Sequence, residues 1–549
     1  MINVPSPYSV AATIVLLLAA FISSLAIRSL VHRYATDVHY VPKPPGGSWI
    51  WGHELEPLSG NCGAVYSSWF DKYGPVVRIG GALGHNDILV VADPVAISHI
   101  LTKNVYRYVK SSIMRPVIER TIGRGLVWAE GDEHRRMRAL LANVFTAEKT
   151  RNMHEDVKIC ADRVVAKLIN HLRAHDGDTT VHMTEWVSRA TLDIIGRIVC
   201  NMIMSRFTAL INFSTIVRGF AHDFGCGESP EAQKLASWWD KTINLSMTRA
   251  ARIAPIVIRT LPFIISLPIP ALRAQSTVKL IVKRLAEDLY ANASANPELS
   301  KGKDLLSTLV RANSRERRSI SKDELLDHIC TFVVVGHDTT SGALGHTIRA
   351  LAQNPDVQDK LRKELLDFGA EPTYDDILTR LPYLDAVTKE GLRMFPPTAH
   401  TERIALHDDV IPLRKPIITP EGKTVTSLHI KKGQLIQIPS LAVDKMHAVW
   451  GDGDTFRPER WLNPGELPSP SELTQGWSNL FVFSEGPRMC IGYRLALLEF
   501  KVILSSFVKA FVLHDTGAEI EYIWAVTLQP KVAGEEGLNL PVRITLADH

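Results

Sequence analysis

The chain has 549 residues, of which 46% are hydrophobic, so it can bury a large core in one large domain or in about two or three ordinary ones. Its 62 basic and 58 acidic side chains leave a formal net charge of +4, and so small an excess does not indicate nucleic-acid binding. The six cysteines are scattered without a C-x-x-C pair, so the sequence indicates neither a zinc site nor a disulfide framework. No GxGxxG or P-loop pattern occurs, which argues against a phosphate cradle of either kind.

An uncharged run from Tyr8 to Ile27 lies near the start of the chain. Its length, about 20 residues, suffices to span a bilayer as a helix. Arg28 and Arg33 follow the run, whereas no charged side chain precedes it, so the positive-inside rule places the rest of the chain in the cytosol. We predict a single N-terminal transmembrane anchor in residues 1–33, with a cleaved signal peptide as the alternative.

The anchor is followed by residues 34–47, whose prolines predict a stiff, extended hinge. The body, residues 48–549, combines short β-branched runs with long helical periodicities, which predicts a mainly α fold with a small β portion. We predict strands at Val76–Ile79, Ile88–Val91 and Leu435–Ile438. Residues 253–272 are apolar but interrupted by prolines, so they either lie on the membrane or form an irregular buried segment.

A long helix is predicted from Ser321, which opens a capping pattern with Glu324, to about Asn354. Its middle carries the polar run Gly336–Thr340 inside an apolar stretch. Interior polar groups cost free energy unless they are partnered. A purely structural alternative is that Thr339 hydrogen-bonds to a carbonyl one turn earlier while the preceding acid pairs with a surface base.

Glu390 and Arg393 lie three residues apart on a helix that ends before Pro396, so they share one face. For an isolated pair a surface salt bridge is the better interpretation. Arg460, further along the chain, offers a second guanidinium that could lock the same carboxylate into a buried network. If such a network is buried, each of its charged and hydrogen-bonding atoms has to have a partner.

The segment Phe483–Gly492 frames Cys490 with two glycines and Arg488, directly before an amphipathic helix. The start of that helix supplies backbone N–H groups and a positive dipole end, which favour a thiolate. The glycines allow close approach of a flat macrocycle, and the guanidinium fork suits a propionate carboxylate. A buried structural cysteine is the alternative for a lone cysteine, but the framing residues favour a thiolate bound to haem iron.

These motifs together resemble the cytochrome P450 haem-thiolate monooxygenases, in particular the membrane-anchored eukaryotic kind. The resemblance covers nearly the whole chain and implies the P450 fold, with haem as cofactor and Cys490 as the axial iron ligand. It implies that Asp338 and Thr339 deliver protons. It also implies a structural network of Glu390, Arg393 and Arg460 behind the haem.

By the same resemblance, the haem propionates are bound by His134, Arg138, Arg403 and Arg488. Three positions depart from the usual family pattern. Val335 stands where alanine or glycine is usual, His134 stands where tryptophan is commoner, as in fungal members, and His337 adds a titratable group. We interpret His337 as an outward-facing helix residue, with participation in proton supply as the alternative.

The implied reaction inserts one oxygen atom from O2 into a lipophilic small molecule, terpenoid-like or otherwise hydrophobic, in fungal secondary metabolism. Electrons are expected from an NADPH–cytochrome P450 reductase at the endoplasmic reticulum membrane, because the chain has no flavin or nicotinamide signature of its own. A haem-thiolate isomerase or dehydratase that needs no O2, and a non-catalytic haem-binding protein, are the alternatives. Basic residues that could receive an acidic reductase are Arg124, Arg135, Lys445, Arg494 and Lys501.

Overall fold

The structure, a computed structural model, describes residues 38–58, 62–201, 248–266, 321–419, 421–524 and 527–547, with scattered positions within 13–27, 228–244 and 279–287. Over these residues helices predominate and strands form a smaller part, which confirms the predicted mainly α fold with a small β portion.

The α-helices of the described residues are α1 Cys62–Tyr73, α2 Pro94–Ser98, α3 Met114–Ile122, α4 Gly131–Ala142, α5 Ala147–Asn152, α6 His154–Arg173, α7 Met183–Asn201, α8 Arg249–Thr260, α9 Lys322–Gln353, α10 Pro355–Asp367, α11 Tyr374–Thr379, α12 Pro382–Met394, α13 Ser440–Val443, α14 His447–Trp450 and α15 Tyr493–Ala510. The strands are β1 Val76–Ile79, β2 Ile88–Val91, β3 Tyr108–Val109, β4 Asp178–His182, β5 Thr401–Ala405, β6 Asp409–Ile418, β7 Thr424–Ile430, β8 Leu435–Ile438, β9 Phe511–His514, β10 Ile520–Trp524, β11 Leu528–Val532 and β12 Pro541–Leu546.

The strands form a mixed five-stranded sheet in the order β1-β2-β8-β5-β3, in which only β2 and β8 run parallel. A three-stranded sheet has the order β4-β12-β9, and β6–β7 and β10–β11 are hairpins. Strands β1, β2 and β8 begin and end where the sequence predicts them. Most of the buried apolar residues fall into a large helical core around α6, α7, α9 and α15 and a second core between α1 and the five-stranded sheet.

Helix α9 crosses the helical core and begins as the sequence predicts. The hydroxyl of Ser321 accepts a hydrogen bond from the backbone N–H of Glu324 at 3.1 Å, and the helix runs for 32 residues before Asn354 and Pro355 end it. At 1.5 Å per residue its length is about 48 Å. Gly336 lets α7 approach α9 closely, because a Cβ at this position would lie 2.9 Å from Cδ1 of Ile195.

Most of the predicted anchor, residues 1–33, lies outside the described residues. Among the positions that are described, none belongs to a helix with both the length and the apolarity needed to cross a bilayer. The second half of the predicted hinge packs on the body, since Val38 and Val41 are buried and the carbonyl of Pro42 accepts a 2.8 Å hydrogen bond from the backbone of Arg78.

The proline-interrupted segment is helical in its first part. Helix α8 includes Pro255, and a 3-10 turn follows at Pro262–Ser266. Residues 267–272 lie outside the described residues. Phe263 is 62% exposed, so at least this apolar side chain is not part of the core.

Candidate active site

Cys490 is held by a tight loop at the start of α15. Its backbone N–H donates to the carbonyl of Phe483 at 2.9 Å. Gly486 has φ +66°, and a Cβ there would lie 2.4 Å from the carbonyl oxygen of Leu101, so only glycine fits. The side chain of Cys490 is accessible at its surface although protein atoms lie densely around it. Burial raises the pKa of the Cys490 thiol, and the N–H of Gly492 and the charge of Arg138 act in the opposite direction.

A cluster of cations lies beside this loop. Lys110 Nζ donates to Glu130 Oε1 at 2.9 Å, and Arg488 contacts the other oxygen of the same carboxylate. Arg488 also donates to the carbonyl of Ala129 at 3.1 Å. One carboxylate therefore pairs with two largely buried cations, which leaves an excess of positive charge.

Three further predicted propionate ligands lie close to these groups. His134, on α4, is buried, and its Nδ1 lies 3.1 Å from the hydroxyl of Tyr106. Arg138, one turn later, donates to the carbonyl of Met489, next to the cysteine. Arg403, on β5, is buried and donates to Thr401 Oγ1 at 2.8 Å.

The cluster holds more cations than anions, and the propionates of a haem would supply the missing negative charge. Burial and the charge of Arg488 lower the pKa of Lys110 to about 7 and that of Arg403 to about 10. Burial and the same charge lower the pKa of His134 to about 3. The Nε atoms of Arg403 and Arg488 are buried without a hydrogen-bond partner among the described residues. Two propionate carboxylates would satisfy these donors and offset the charge, so the donor set fits the haem that the resemblance implies.

Glu390 and Arg393 form a buried bidentate ion pair on α12. The guanidinium donates through Nε at 2.9 Å and through Nη2 at 2.8 Å, and neither side chain is exposed. Arg460 adds a third donor to Glu390 at 3.2 Å and is 1% exposed. The surface salt bridge, the better interpretation of the isolated pair, is therefore wrong at this site.

The network also satisfies its remaining polar atoms. The indole N–H of Trp461 and the backbone N–H of Arg457 each donate to Glu390 at 2.9 Å. Arg393 Nη1 donates to the carbonyls of Asp444 and Gly453 at 3.0 and 2.6 Å. A buried ion pair requires this completeness, because each unpaired charge would cost several kcal/mol.

The acid–hydroxyl pair lies in the middle of α9. Thr339 Oγ1 donates to the carbonyl of Val335 at 2.8 Å, which is the backbone contact that the structural alternative expects. Asp338 accepts a hydrogen bond from the hydroxyl of Thr527, and Gln529 Nε2 donates to that hydroxyl at 2.6 Å. The acid is therefore tied to the C-terminal hairpin, and this contact is to a hydroxyl and not to a surface base.

The interpretation of His337 as outward-facing is wrong. The side chain is 6% exposed, and its carbonyl oxygen accepts a hydrogen bond from Thr191 Oγ1 of α7 at 3.1 Å. Helix α9 is enclosed by neighbouring elements around most of its circumference, so it presents no outward face here. Burial lowers the pKa of His337, and the charge of Asp338 acts against that shift.

Aromatic contacts link the cysteine loop to α9. The ring of Phe145 lies 5.4 Å from that of Phe332 on α9, and a Cβ on Gly492 would lie 3.9 Å from the ring of Phe145. The predicted thiolate ligand and the predicted proton-delivery helix therefore flank one region of the protein.

Sequence reasoning missed Tyr106, Glu130 and Thr527, and it included Lys110 only within the predicted pocket wall 109–122 and not as a cation of the site. None belongs to a short motif. Their contacts join positions 20 or more residues apart, as in the pairs Lys110–Glu130 and Thr527–Asp338. In the sequence, only the place of Lys110 in the segment before α4 could have pointed to a role in the site.

Comparison with known proteins agrees with this geometry. The family model described as cytochrome P450 matches residues 42–532. The chain is 31% identical to cytochrome P450 monooxygenase claO of Ampulloclitocybe clavipes over 499 residues, which cover 88% of each chain. It is 28% identical to claU of the same fungus over 556 residues, 98% of each chain, and 30% identical to cytochrome P450 monooxygenase 205 of Postia placenta over 506 residues, 88% of each chain. The chain therefore belongs to the cytochrome P450 family of haem-thiolate monooxygenases.

Proposed function

We propose that this P450 monooxygenase inserts one oxygen atom from O2 into a lipophilic small molecule of fungal secondary metabolism, terpenoid-like or otherwise hydrophobic. The observation that carries the proposal is the combination of the Cys490 loop with an acid–hydroxyl pair at the centre of α9. An isomerase or dehydratase does not reduce O2, so it has no need of an acid–hydroxyl pair that supplies protons for that step. When bound, the haem supplies the electron-transfer and O2 chemistry.

We assign Thr339 and Asp338 to proton delivery. The Thr339 hydroxyl uses its hydrogen on the carbonyl of Val335, so its oxygen can still accept a hydrogen bond. The carboxyl group of Asp338 is oriented by Thr527, which is itself fixed by Gln529. This arrangement supports a directed proton path at the middle of α9.

The substrate class rests on the character of the predicted pocket walls and on the relatives. Phe332 and Val335 face the helical core from α9, and both are apolar. The other predicted walls are residues 109–122, 398–401 and 532–537. The relatives named above are fungal monooxygenases, which supports a fungal setting.

We place the protein at the endoplasmic reticulum membrane as a single-pass protein with a cytosolic catalytic domain. Trp49 is 74% exposed, in a turn closed by hydrogen bonds between Ser48 and Gly52. The turn is bonded to the segment beside it, since the N–H of Leu83 donates to the carbonyl of Ile50 at 2.7 Å. That segment lies against α8, which precedes Phe263, because His85 Nε2 lies 3.2 Å from Thr260 Oγ1. Exposed aromatic side chains beside the predicted anchor suit the membrane interface.

Electrons would come from an NADPH–cytochrome P450 reductase on the same membrane. Arg124 and Arg135 are exposed and could contribute to a docking surface for an acidic partner. Lys501 does not belong to that surface, because it is 2% exposed and donates to Asp385 at 2.7 Å.

The proposal is tested with the purified full chain in lipid vesicles, together with a fungal NADPH–cytochrome P450 reductase. Lipophilic compounds are first screened for a spin-state shift of the iron, and compounds that give one are incubated with NADPH under O2 or argon. We expect a product that carries one oxygen atom from labelled O2. Product formation under argon without NADPH would instead identify an isomerase or dehydratase.

The matched control is Cys490→Ser, which keeps a side chain of similar size but lacks the sulfur. We expect its chemically reduced carbon monoxide complex to lose the red-shifted Soret band and its product to disappear. A wild-type protein without that band would refute haem-thiolate ligation and with it the proposed function.

A further inference from the structure

Asp444 is a buried carboxylic acid that joins two parts of the site. It caps the C-terminal end of α13 and is 2% exposed. Its main-chain oxygen accepts a hydrogen bond from Arg393 Nη1 at 3.0 Å, while its side-chain Oδ2 accepts one from the backbone N–H of Phe481 at 2.8 Å. One residue thus contacts both the Glu390 network and the chain that leads into the cysteine loop.

Two backbone hydrogen bonds connect Phe481 and its neighbours to the cysteine. The carbonyl of Phe481 accepts from Ser484 at 2.7 Å, and the carbonyl of Phe483 accepts from Cys490 at 2.9 Å. Phe481 is itself 2% exposed, so its N–H has no access to solvent if the carboxyl group is removed. A buried N–H without a partner costs about 1–3 kcal/mol, enough to favour another conformation of the loop.

We infer that Asp444 is a positioning residue for the thiolate ligand, through which the Glu390–Arg393–Arg460 network holds the cysteine loop in place. The residue does not touch the sulfur. It acts through the main chain of Phe481, so its loss would free the loop without altering any group that contacts haem.

The protonation state of Asp444 makes the inference testable. Burial raises the pKa of Asp444 to about 7, while the Phe481 N–H and the charges of Arg393 and Lys445 pull it down. Asp444 also lines a cavity of about 20 Å³, large enough for one water molecule. The charged groups facing it across that cavity are Asp93, Arg414, Lys415 and Glu472.

The sign of the effect follows from the contact itself. For the whole protein, a folded-state pKa above the ordinary carboxyl value means that the contribution of Asp444 to stability is complete at low pH and is lost as the pH rises through about 7. The Phe481 N–H lowers the pKa of Asp444, however, so it binds the ionised carboxylate more tightly than the neutral acid, and this contact should hold the cysteine loop more firmly above about pH 7 than below it.

The experiment follows the loss of the red-shifted Soret band of the reduced carbon monoxide complex over time, as a function of pH. At a temperature well below unfolding, we expect the rate of loss in the wild type to fall as the pH rises, with a midpoint near pH 7. Asp444→Asn keeps the acceptor oxygen but cannot ionise, so the contribution of residue 444 to this pH dependence disappears and the rate stays at its low-pH value. Asp444→Ala leaves the Phe481 N–H unpaired, and we expect a rate about ten-fold higher at every pH.

The control is Asp452→Asn. Asp452 accepts a hydrogen bond from Arg460 at 2.7 Å but contacts no residue of the cysteine loop within the described part of the chain. This variant should retain the wild-type midpoint. If Asp444→Asn shows the same midpoint as the wild type, the inference is wrong. The Asp444→Asn measurement tests the inference even if Asp444→Ala does not fold.

Discussion

The contrast between Trp461 and Trp450 tests whether hydrogen bonding or burial governs the stability of the Glu390 network. Trp461 is half-buried and donates its indole N–H to Glu390 at 2.9 Å. Trp450 is 6% exposed, and its indole nitrogen has no hydrogen-bond partner among the described residues. The two rings lie 5.9 Å apart, so both report on the same cluster.

We expect Trp461→Phe to destabilise the protein more than Trp450→Phe. A hydrogen bond to a buried carboxylate contributes about 1.5–3 kcal/mol, and phenylalanine cannot make it. In Trp450→Phe, the loss of ring contacts is offset by removal of an unsatisfied donor, whose burial costs about 1–3 kcal/mol. The predicted difference in unfolding free energy is therefore about 2 kcal/mol, with the more exposed tryptophan as the more sensitive one.

The measurement is equilibrium urea denaturation followed by far-ultraviolet circular dichroism, with free energies from linear extrapolation. Renaturation from urea has to return the starting signal. An equal or larger loss in Trp450→Phe would show that ring burial, and not the contact to Glu390, dominates here, and the reasoning would be refuted.

Three further predictions concern the site. Thr339→Ala should uncouple electron consumption from product formation and release peroxide; unchanged coupling would remove Thr339 from proton delivery. Thr527→Val removes the hydroxyl that Asp338 accepts from, so coupling should fall and Thr527→Ser should restore it; a Val variant with wild-type coupling would exclude this role. The pKa of Lys110, lowered to about 7 by burial, should rise when propionates bind, so haem affinity should fall by up to about ten-fold per pH unit above 7. In haem titrations, Lys110→Met should weaken the dependence of haem affinity on pH by one proton. An equal pH dependence in both proteins would contradict the role of Lys110 in binding propionates.

Much of the site could be predicted from short stretches of sequence. Ser321 with Glu324 marks the start of α9, and Glu390 with Arg393 shares one face of α12, because hydrogen bonds and spacing within a helix are local. The frame of Cys490 is similarly local, since its glycines and the following helix are contiguous in the chain. These features arise from interactions over a few residues and need no knowledge of the fold.

Only the tertiary structure shows which distant groups complete the site. Thr527 reaches Asp338 across 189 positions, and Asp444 reaches Phe481 across 37. His337 is the converse case, because a helix buried on most sides has no polar stripe from which an outward face could be read. The sequence by itself determined the glycine frame of Cys490, which predicts the haem ligand, and the helices beside it, because their signals are local. The partners of the acid, the excess of cations around Glu130 and the placement of Asp444 were decided by packing, because burial and charge at these positions depend on neighbours that are remote in the chain.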